Sequence, residues 1–291
     1  MKKLALCSLL IATAAPLAAQ TDFSKVEIKA SKVAGNVYML QGAGGNIGVS
    51  VGNDGILIVD DQFAPLAPKI KASLAGISDK PVRFVLNTHH HGDHTGGNEV
   101  FGETAPIIAH SNVRKRLNSP QDGKAPVPAS LPVITFDRDL TVHINGETIR
   151  AVHFPHGHTD GDSVIFFTES NVVHLGDNFF AGRFPFIDID SGGSVRGLIR
   201  NLDKVIAELP ADVKVIPGHG PLATLEDLTK YRVMIEDALK IVDQGMKQGM
   251  SLEQLKSDKV LTPYKDWAWG FISEDRFIET LHRELGMEPR Q

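Results

Sequence analysis

The sequence predicts an α/β protein in which two sheets pack face to face and helices cover their outer surfaces. Two observations carry this prediction. Short apolar strands and helical segments recur in two similar halves of the chain, which is typical of layers packed around shared cores. The 291 residues include 42% hydrophobic and 22% charged residues, the composition of a globular protein of one or two domains.

The first half begins with strands and continues with a helix between two further strands. The Asp54-Gly55 pair lies between apolar runs and predicts a hairpin turn. Apolar residues recur with helical spacing over residues 64–77. The predicted strands of this half span residues 36–40, 47–51, 56–59, 82–86 and 106–109, and a basic helix lies around residues 113–116.

The second half repeats this order and ends in helices. Its predicted strands span residues 133–136, 140–144, 148–154, 163–167, 172–175 and 213–216, with a helix at 195–209. Residues 224–286 have helical spacing, and we expect breaks at Gly245 and Gly249. We therefore expect one domain over residues 21–291, with a helical tail from residue 224.

The first twenty residues have the pattern of a secretory signal peptide. Lys2 and Lys3 precede an apolar run at residues 4–15, and small residues end the segment. The alternative is a membrane anchor, but the run is shorter than the ~20 residues that a span requires. We predict a signal peptide over residues 1–20, no membrane span, and a periplasmic or secreted mature protein.

Charge and cysteine content exclude several kinds of chemistry. The formal net charge of −5 does not favour nucleic acid as a partner, so we expect a small-molecule substrate. The single cysteine, Cys7, lies within the predicted signal peptide. The mature chain then has no disulfide, thiolate ligand or cysteine nucleophile. No pattern in the sequence specifies an oligomeric state.

The most informative string is THHHGDHTGGN at residues 88–98, directly after a predicted strand. Imidazole and carboxylate groups are good ligands for zinc or iron, and glycines give the loop freedom to fold around a cation. A solvent-exposed histidine-rich loop is the plainer alternative. The ligand candidates here are His89, His91, Asp93 and His94, whereas His90 should point away from them.

Three further residues follow predicted strands and lie beside glycine. They are His158, Asp177 and His219. Each one alone is typical of an ordinary turn, but as an ordered set after the first motif they indicate a metal site.

These motifs resemble those of the metallo-β-lactamase superfamily, over about residues 33–221. The resemblance implies an αββα sandwich with a binuclear metal site at one edge of the sheets. It assigns His89, His91 and His158 to the first metal and Asp93, His94 and His219 to the second, with Asp177 bridging the two. Two zinc ions are the expected cofactors, with iron or manganese as alternatives.

A binuclear site of this kind permits a hydrolytic mechanism. Two cations sharing a water lower its pKa toward ~7 and supply a bridging hydroxide as the nucleophile. Asp93 is the candidate catalytic residue that orients this hydroxide toward a carbonyl carbon.

The sequence is compatible with several classes of substrate. Our first expectation is ring opening of a β-lactam or lactone. The Asp177-containing ligand set also resembles that of glyoxalase II, which makes thioester hydrolysis the alternative. An iron persulfide dioxygenase and a non-catalytic zinc-binding protein are alternatives of other classes.

Candidate substrate contacts lie after Asp177. Phe180 is an aromatic candidate, although aromatic residues at this density are more often part of a core. Arg183 either binds a substrate carboxylate or pairs with Asp188 or Asp190. The glycine-rich segment 42–46 is either a flap over the site or a turn.

Overall fold

The computed structural model describes residues 22–120 and 125–287. The predicted signal peptide at residues 1–20 lies outside the described residues and stays a prediction. The strands that are described form two mixed sheets, and the strand predicted at residues 133–136 belongs to the first sheet rather than to the second half.

The first sheet contains seven strands in the order of the sequence. Strands β1 to β4 pair antiparallel, and β4 to β7 pair parallel, so the ends of β4, β5 and β6 meet at one edge of the sheet. The strands are β1 (Lys29–Ala34), β2 (Val37–Gln41), β3 (Ile47–Gly52), β4 (Gly55–Val59), β5 (Val82–Leu86), β6 (Ile107–His110) and β7 (Ile134–Phe136).

The second sheet contains six strands in the order β13-β12-β11-β10-β9-β8. Only the neighbouring strands β11 and β12 pair parallel, and both end at the edge that the first sheet also uses. The strands are β8 (Asp139–Ile144), β9 (Glu147–His153), β10 (Ser163–Phe167), β11 (Val172–His174), β12 (Lys214–Ile216) and β13 (Ala223–Thr224).

Strand β4 shows how the sequence produces stacked layers. All five of its residues are buried. Leu57 and Val59 pack into the core between the two sheets, whereas Ile56 and Ile58 pack into a second core under the helices. Because alternate side chains point to opposite faces of a strand, a continuous apolar run indicates a strand covered on both faces.

Helices cover both outer surfaces. Helix α1 packs on the first sheet, while α5, α6, α7 and α8 form a larger core on the second. This arrangement confirms the predicted αββα sandwich. The helices are α1 (Ala67–Ala75), α2 (Gly92–Thr95), α3 (Asn98–Phe101), α4 (Ser111–Leu117), α5 (Val195–Glu208), α6 (Leu225–Lys247), α7 (Leu252–Ser257) and α8 (Glu274–Leu285).

The expected helix break at Gly245 is wrong. Gly245 is buried inside α6, which continues to Lys247. A Cβ at this position would lie 2.5 Å from Leu255 Cδ2, so the glycine lets α7 approach closely. The break comes at Gly249, whose φ of +83° is a conformation that glycine adopts at low cost.

The tail is anchored to the sandwich by a buried carboxylate. Glu284 on α8 is 3% exposed and accepts hydrogen bonds from Ser194 Oγ and the Val195 backbone at the start of α5. A carboxylate at a helix N-terminus satisfies free N–H groups and the helix dipole. This contact joins α8 to the start of α5.

Candidate metal centre

The predicted ligands converge where the two sheets share an edge. His89, His91, Asp93 and His94 follow β5, Asp177 follows β11, and His219 follows β12. His158 comes from the loop between β9 and β10. The histidine segment is not fully extended, because residues Gly92–Thr95 form a single helical turn. That turn brings Asp93 and His94 to the side of the site opposite His91.

One group of four side chains could hold a metal ion. Its members are His89, His91, His158 and Asp177, whose ligand atoms lie within 4.8 Å of one another. His158 Nε2 lies 2.8 Å from His91 Nδ1 and 3.5 Å from Asp177 Oδ2. His89 Nε2 lies 3.8 Å from the same carboxylate oxygen.

A second group lies on the other side of Asp177. Asp93, His94 and His219 also have ligand atoms within 4.8 Å of one another. The second oxygen of Asp177, Oδ1, lies 3.1 Å from His94 Nε2 and 3.4 Å from His219 Nε2. One oxygen of Asp177 therefore faces each group. All seven residues assigned from the sequence lie together.

Most of these imidazoles are oriented through their second nitrogen. His94 Nδ1 lies 2.7 Å from Asp60 Oδ2, and His91 Nε2 lies 3.0 Å from Asp188 Oδ2. His158 Nδ1 lies 2.7 Å from the Phe186 carbonyl oxygen. An acceptor on one ring nitrogen keeps the proton there and leaves the other nitrogen free for a metal.

The site contains buried polar atoms that a bound cation would satisfy. Among the described residues, His89 Nε2 and Asp177 Oδ1 are buried without a hydrogen-bond partner. Such atoms are costly unless something else satisfies them. Burial lowers the pKa of His158 to about 4 and that of His89 well below its usual value. Both imidazoles are therefore neutral at pH ~7, the form that binds metals.

The carboxylates require nearby positive charge. Burial alone would lower the pKa of His94 and His219, but Asp177 and the other carboxylates around them together outweigh it. The pKa of His219 rises to about 9, and that of His94 rises well above its usual value. Protons on these imidazoles compensate the carboxylates, as metal cations would. The site thus fits a divalent cation in each group.

A pocket of about 730 Å³ opens onto the site. Asp93, which is 27% exposed, lies at its base. The walls of the pocket consist mainly of aromatic side chains. The lining side chains around the ligands are Phe63, Phe180, Arg183, Phe186, Trp269 and Phe271.

The structure places both candidate substrate contacts in this pocket. Phe180 is 1% exposed, and its ring stacks on His219 with centroids 5.1 Å apart. The Arg183 guanidinium lies 5.0 Å from the centre of the Trp269 ring. The carboxylates considered as its partners have other contacts, since Asp188 lies beside His91 and Asp190 pairs with Arg283.

The glycine-rich segment is packed into the site. Gly45 donates its backbone N–H to the Asp93 carbonyl, and a Cβ on Gly45 would collide with the His94 ring. Asn46 Nδ2 donates to the Pro217 carbonyl at 2.9 Å. These contacts support the interpretation of residues 42–46 as a fixed turn.

The remaining histidines lie outside the two ligand groups, although His90 is close to one of the ligands. His90 forms a further cluster with His91 and Asp188. It therefore does not point fully away from the ligands, although the sequence predicts that it should. His174 is buried, with Nε2 3.0 Å from the Asn46 carbonyl oxygen. His153 stacks on His110 at 3.6 Å.

Sequence reasoning missed several contributors to the site, among them Phe63, Asp60, Asp188 and Phe271. Asp60 carried the same signal as the ligands, a polar residue directly after a buried strand. Asp188 was considered only as a partner for Arg183. Phe271 carried no signal, because its position depends on how the tail folds back.

The described residues include no helix that is long and apolar enough to cross a membrane.

Comparisons with known proteins agree with the fold. The sequence model of the metallo-β-lactamase superfamily matches residues 31–219. Hydroxyacylglutathione hydrolase of Prochlorococcus marinus is 25% identical and aligns with 75% of this chain and 84% of its own. Atrochrysone carboxyl ACP thioesterase of Aspergillus fumigatus is 33% identical, over 88% of this chain and 56% of its own. The lactamase-like protein aptB of Emericella nidulans is 27% identical, over 83% and 77%.

Solved structures show the same architecture. The DIM-1 metallo-β-lactamase superposes with a TM-score of 0.62 at 18% identity, covering 74% of this chain and 100% of its own. The sec-alkylsulfatase Pisa1 from Pseudomonas sp. has a TM-score of 0.67 at 14% identity, covering 90% and 51%. The chain belongs to the metallo-β-lactamase superfamily. Within that superfamily it is a metal-dependent hydrolase.

Proposed function

We propose that this protein is an exported binuclear zinc hydrolase that opens the ring of a small carboxylate-bearing β-lactam or lactone. The observation that carries the proposal is the position of Asp177, which presents one oxygen to each of two ligand groups at the base of an aromatic pocket.

Each ligand group would hold one zinc ion. His89 Nε2, His91 Nδ1 and His158 Nε2 would bind the first, and Asp93, His94 Nε2 and His219 Nε2 the second. Asp177 would contribute one oxygen to each ion. Bound zinc supplies Lewis acidity, which polarises a carbonyl group and makes water a nucleophile near neutral pH.

The protein's own residues position the reactants. Asp93 is partly exposed to the pocket, so its carboxylate can accept a hydrogen bond from the attacking water and turn the oxygen toward the carbonyl carbon. Arg183 would receive the substrate carboxylate at the pocket wall. Phe180 keeps His219 in place by stacking on its ring. Asp60 and Asp188 hold the tautomers of His94 and His91.

The charge of the pocket favours a compact substrate. Arg183 is the only lysine or arginine among the described residues that line it, and five aromatic side chains surround it. A glutathione thioester carries two carboxylates and an ammonium group, for which these walls provide few partners. A lactam or lactone with one carboxylate matches them better.

Thioester hydrolysis is the second candidate. Two relatives, a hydroxyacylglutathione hydrolase and an ACP thioesterase, support it by their names. The catalytic steps assigned to Asp93 and the ligand groups would be the same, because both substrates react at a carbonyl carbon.

One comparison of substrates separates the two candidates. The kcat/KM values for a cephalosporin, a lactone and lactoylglutathione would be measured on a single zinc-loaded preparation. We expect the lactam or the lactone to have the highest value. A thioester value roughly a hundredfold above both would replace our first choice by the second, since it corresponds to about 2.7 kcal/mol of transition-state binding.

Export is a separate part of the proposal and rests on the signal pattern of residues 1–20. Fractionation of the host cell, with sequencing of the mature N-terminus, tests it. We expect periplasmic or secreted protein that begins near Gln20, and full-length protein in the cytoplasm would contradict this.

A further inference from the structure

The part of the chain beyond the superfamily match supplies one wall of the pocket. The match ends at residue 219, whereas Trp269 and Phe271 lie between α7 and α8. Both line the pocket, together with Phe186 and Arg183. Membership of the superfamily therefore implies nothing about these two tail residues.

The wall has a fixed geometry. Trp269 Nε1 donates to the Phe184 carbonyl at 3.0 Å, and the Trp269 backbone N–H donates to the Ile272 carbonyl at 3.0 Å. Arg276 Nη1 donates to the Phe271 carbonyl at 2.8 Å. These bonds hold both aromatic residues in place before any ligand binds.

The aromatic rings form a continuous surface. The centroids of Trp269 and Phe271 are 5.6 Å apart, and those of Phe271 and Phe186 are 5.4 Å apart. Arg276 lies 4.3 Å from the Phe271 centroid and 5.4 Å from that of Phe186, which supports these rings by cation–π contact. Phe271 is nevertheless 47% exposed. Because Phe271 also lines the pocket, part of its ring is available for contact with a ligand.

A cation lies beside this surface. The Arg183 guanidinium is 5.0 Å from the centre of the Trp269 ring. The guanidinium therefore lies over the face of the Trp269 ring, and this positive charge lines the same pocket as the rings of Phe186 and Phe271. Arginine binds carboxylates well, and aromatic rings stack on one another with favourable offset geometry.

We propose that Trp269, Phe271, Phe186 and Arg183 form a binding site for an aryl carboxylate, which selects substrates bearing a planar aromatic group. The selectivity rests on the proposed hydrolase function. The binding site itself does not depend on turnover.

Binding can be measured without hydrolysis. The chain has two tryptophans, so Trp267→Phe leaves Trp269 as the only tryptophan reporter. In zinc-loaded protein we expect para-nitrobenzoate, a non-hydrolysable aryl carboxylate, to quench this fluorescence saturably, whereas acetate does not. Trp269→Phe leaves Trp267, which lies beside Tyr231, and should show no saturable quenching.

Two variants test the residues of the site. Phe271→Ala and Arg183→Gln, each in the Trp267→Phe background, should weaken binding of para-nitrobenzoate roughly three- to tenfold. Val233→Ala is the matched control, because Val233 is 43% exposed on α6 and does not line the pocket. Circular dichroism establishes that each variant is folded, and Phe271→Leu replaces Phe271→Ala if the latter is not.

Selectivity is tested with two lactams that differ in one group. Benzylpenicillin carries an aryl side chain, and the penicillin nucleus without its acyl side chain does not. We expect the wild type to prefer benzylpenicillin in kcat/KM and Phe271→Ala to lose roughly three- to tenfold of that preference.

The results separate the two proposals. Absence of saturable quenching by para-nitrobenzoate overturns the aryl carboxylate site, even if lactams or lactones are hydrolysed. Saturable quenching that Phe271→Ala weakens supports the site, even if no carbonyl substrate turns over, and in that case the proposed hydrolytic substrates are wrong. Quenching that Phe271→Ala and Val233→Ala affect equally also overturns the site.

Discussion

The Asp60 carboxylate lies 2.7 Å from Nδ1 of His94, and both side chains are completely buried. The same carboxylate accepts hydrogen bonds from the Thr88 backbone N–H at 2.8 Å and from Thr88 Oγ1 at 2.7 Å. Thr88 Oγ1 in turn lies 3.0 Å from His89 Nδ1. One residue at the end of β4 therefore orients a histidine of each ligand group.

We predict that Asp60→Asn lowers the affinity for zinc more than it lowers the stability of the fold. The amide keeps the shape, but its NH₂ group would face His94 Nδ1 and leave the proton on Nε2, which then cannot bind zinc. Zinc affinity should fall roughly 10- to 100-fold, as for other residues that orient metal ligands. Competition with a fluorescent zinc chelator measures it.

Asp61→Asn is the matched control for this variant. Burial, together with the charge of Asp60, raises the pKa of Asp61 well above its usual value, so a neutral amide resembles its preferred protonated form. Zinc affinity should stay close to that of the wild type. An equal loss in both variants would show that Asp60 acts only through packing.

Asp177→Asn should remove the negative charge between the two ligand groups. An amide offers a single oxygen and no charge, so it cannot serve both groups. We expect one bound zinc instead of two, and a fall in kcat of roughly a hundredfold or more, since two-metal catalysis requires both ions. Mass spectrometry under native conditions and steady-state kinetics measure the two effects. Normal turnover with both ions bound would show that Asp177 is only a turn residue.

Arg183→Ala should raise KM and leave kcat nearly unchanged. If the guanidinium anchors the substrate carboxylate away from the reacting bond, its contribution is the same in the ground state and the transition state. A charge-assisted hydrogen bond contributes ~1.5–3 kcal/mol, which corresponds to roughly a 10- to 100-fold rise in KM. Arg138→Ala, at a side chain 91% exposed, is the control. A fall in kcat with unchanged KM would contradict an anchoring role.

The stacked pair His153 and His110 should make stability depend on pH. Burial, with His110 beside it, lowers the pKa of His153 from 6.5 to about 4. The unfolded chain therefore binds more protons in this range, so stability falls as the pH decreases from 6.5 toward 4. His153→Asn should reduce the slope. Urea unfolding of the metal-free protein at several pH values measures it.

His143→Asn is the control for this measurement, because His143 is exposed on β8. If His153→Asn and His143→Asn both retain the wild-type slope between pH 4 and 6.5, the stacked pair is not the source of the pH dependence.

Short strands that are rich in apolar residues could be predicted from the sequence. Val82–Leu86 and Ser163–Phe167 have the predicted bounds, because a five-residue apolar run between turn residues is too short for a typical helix. The seven ligand candidates could be found because each one follows a strand. Which oxygen of Asp177 faces which group required the structure.

The rest depended on neighbours that are distant in sequence. Asp60 acts on His94 only because β4 lies parallel to β5, and strand order is not visible in hydrophobic periodicity. The contact between Arg183 and Trp269 requires the tail to return to the second sheet. Gly245 was misinterpreted because a glycine that permits close helix packing looks, in sequence, like one that ends a helix.

The metal content of active protein tests the central claim most directly. We predict two zinc ions per chain by elemental analysis, with hydrolysis of a lactam or lactone lost on chelation and restored as the second ion is added back. The melting temperature should fall with metal removal, because a ligand at a hundredfold its Kd stabilises the folded state by about 2.7 kcal/mol. The binuclear hydrolase would be contradicted by one iron ion per chain, no binding of added zinc and no hydrolysis of any carbonyl substrate.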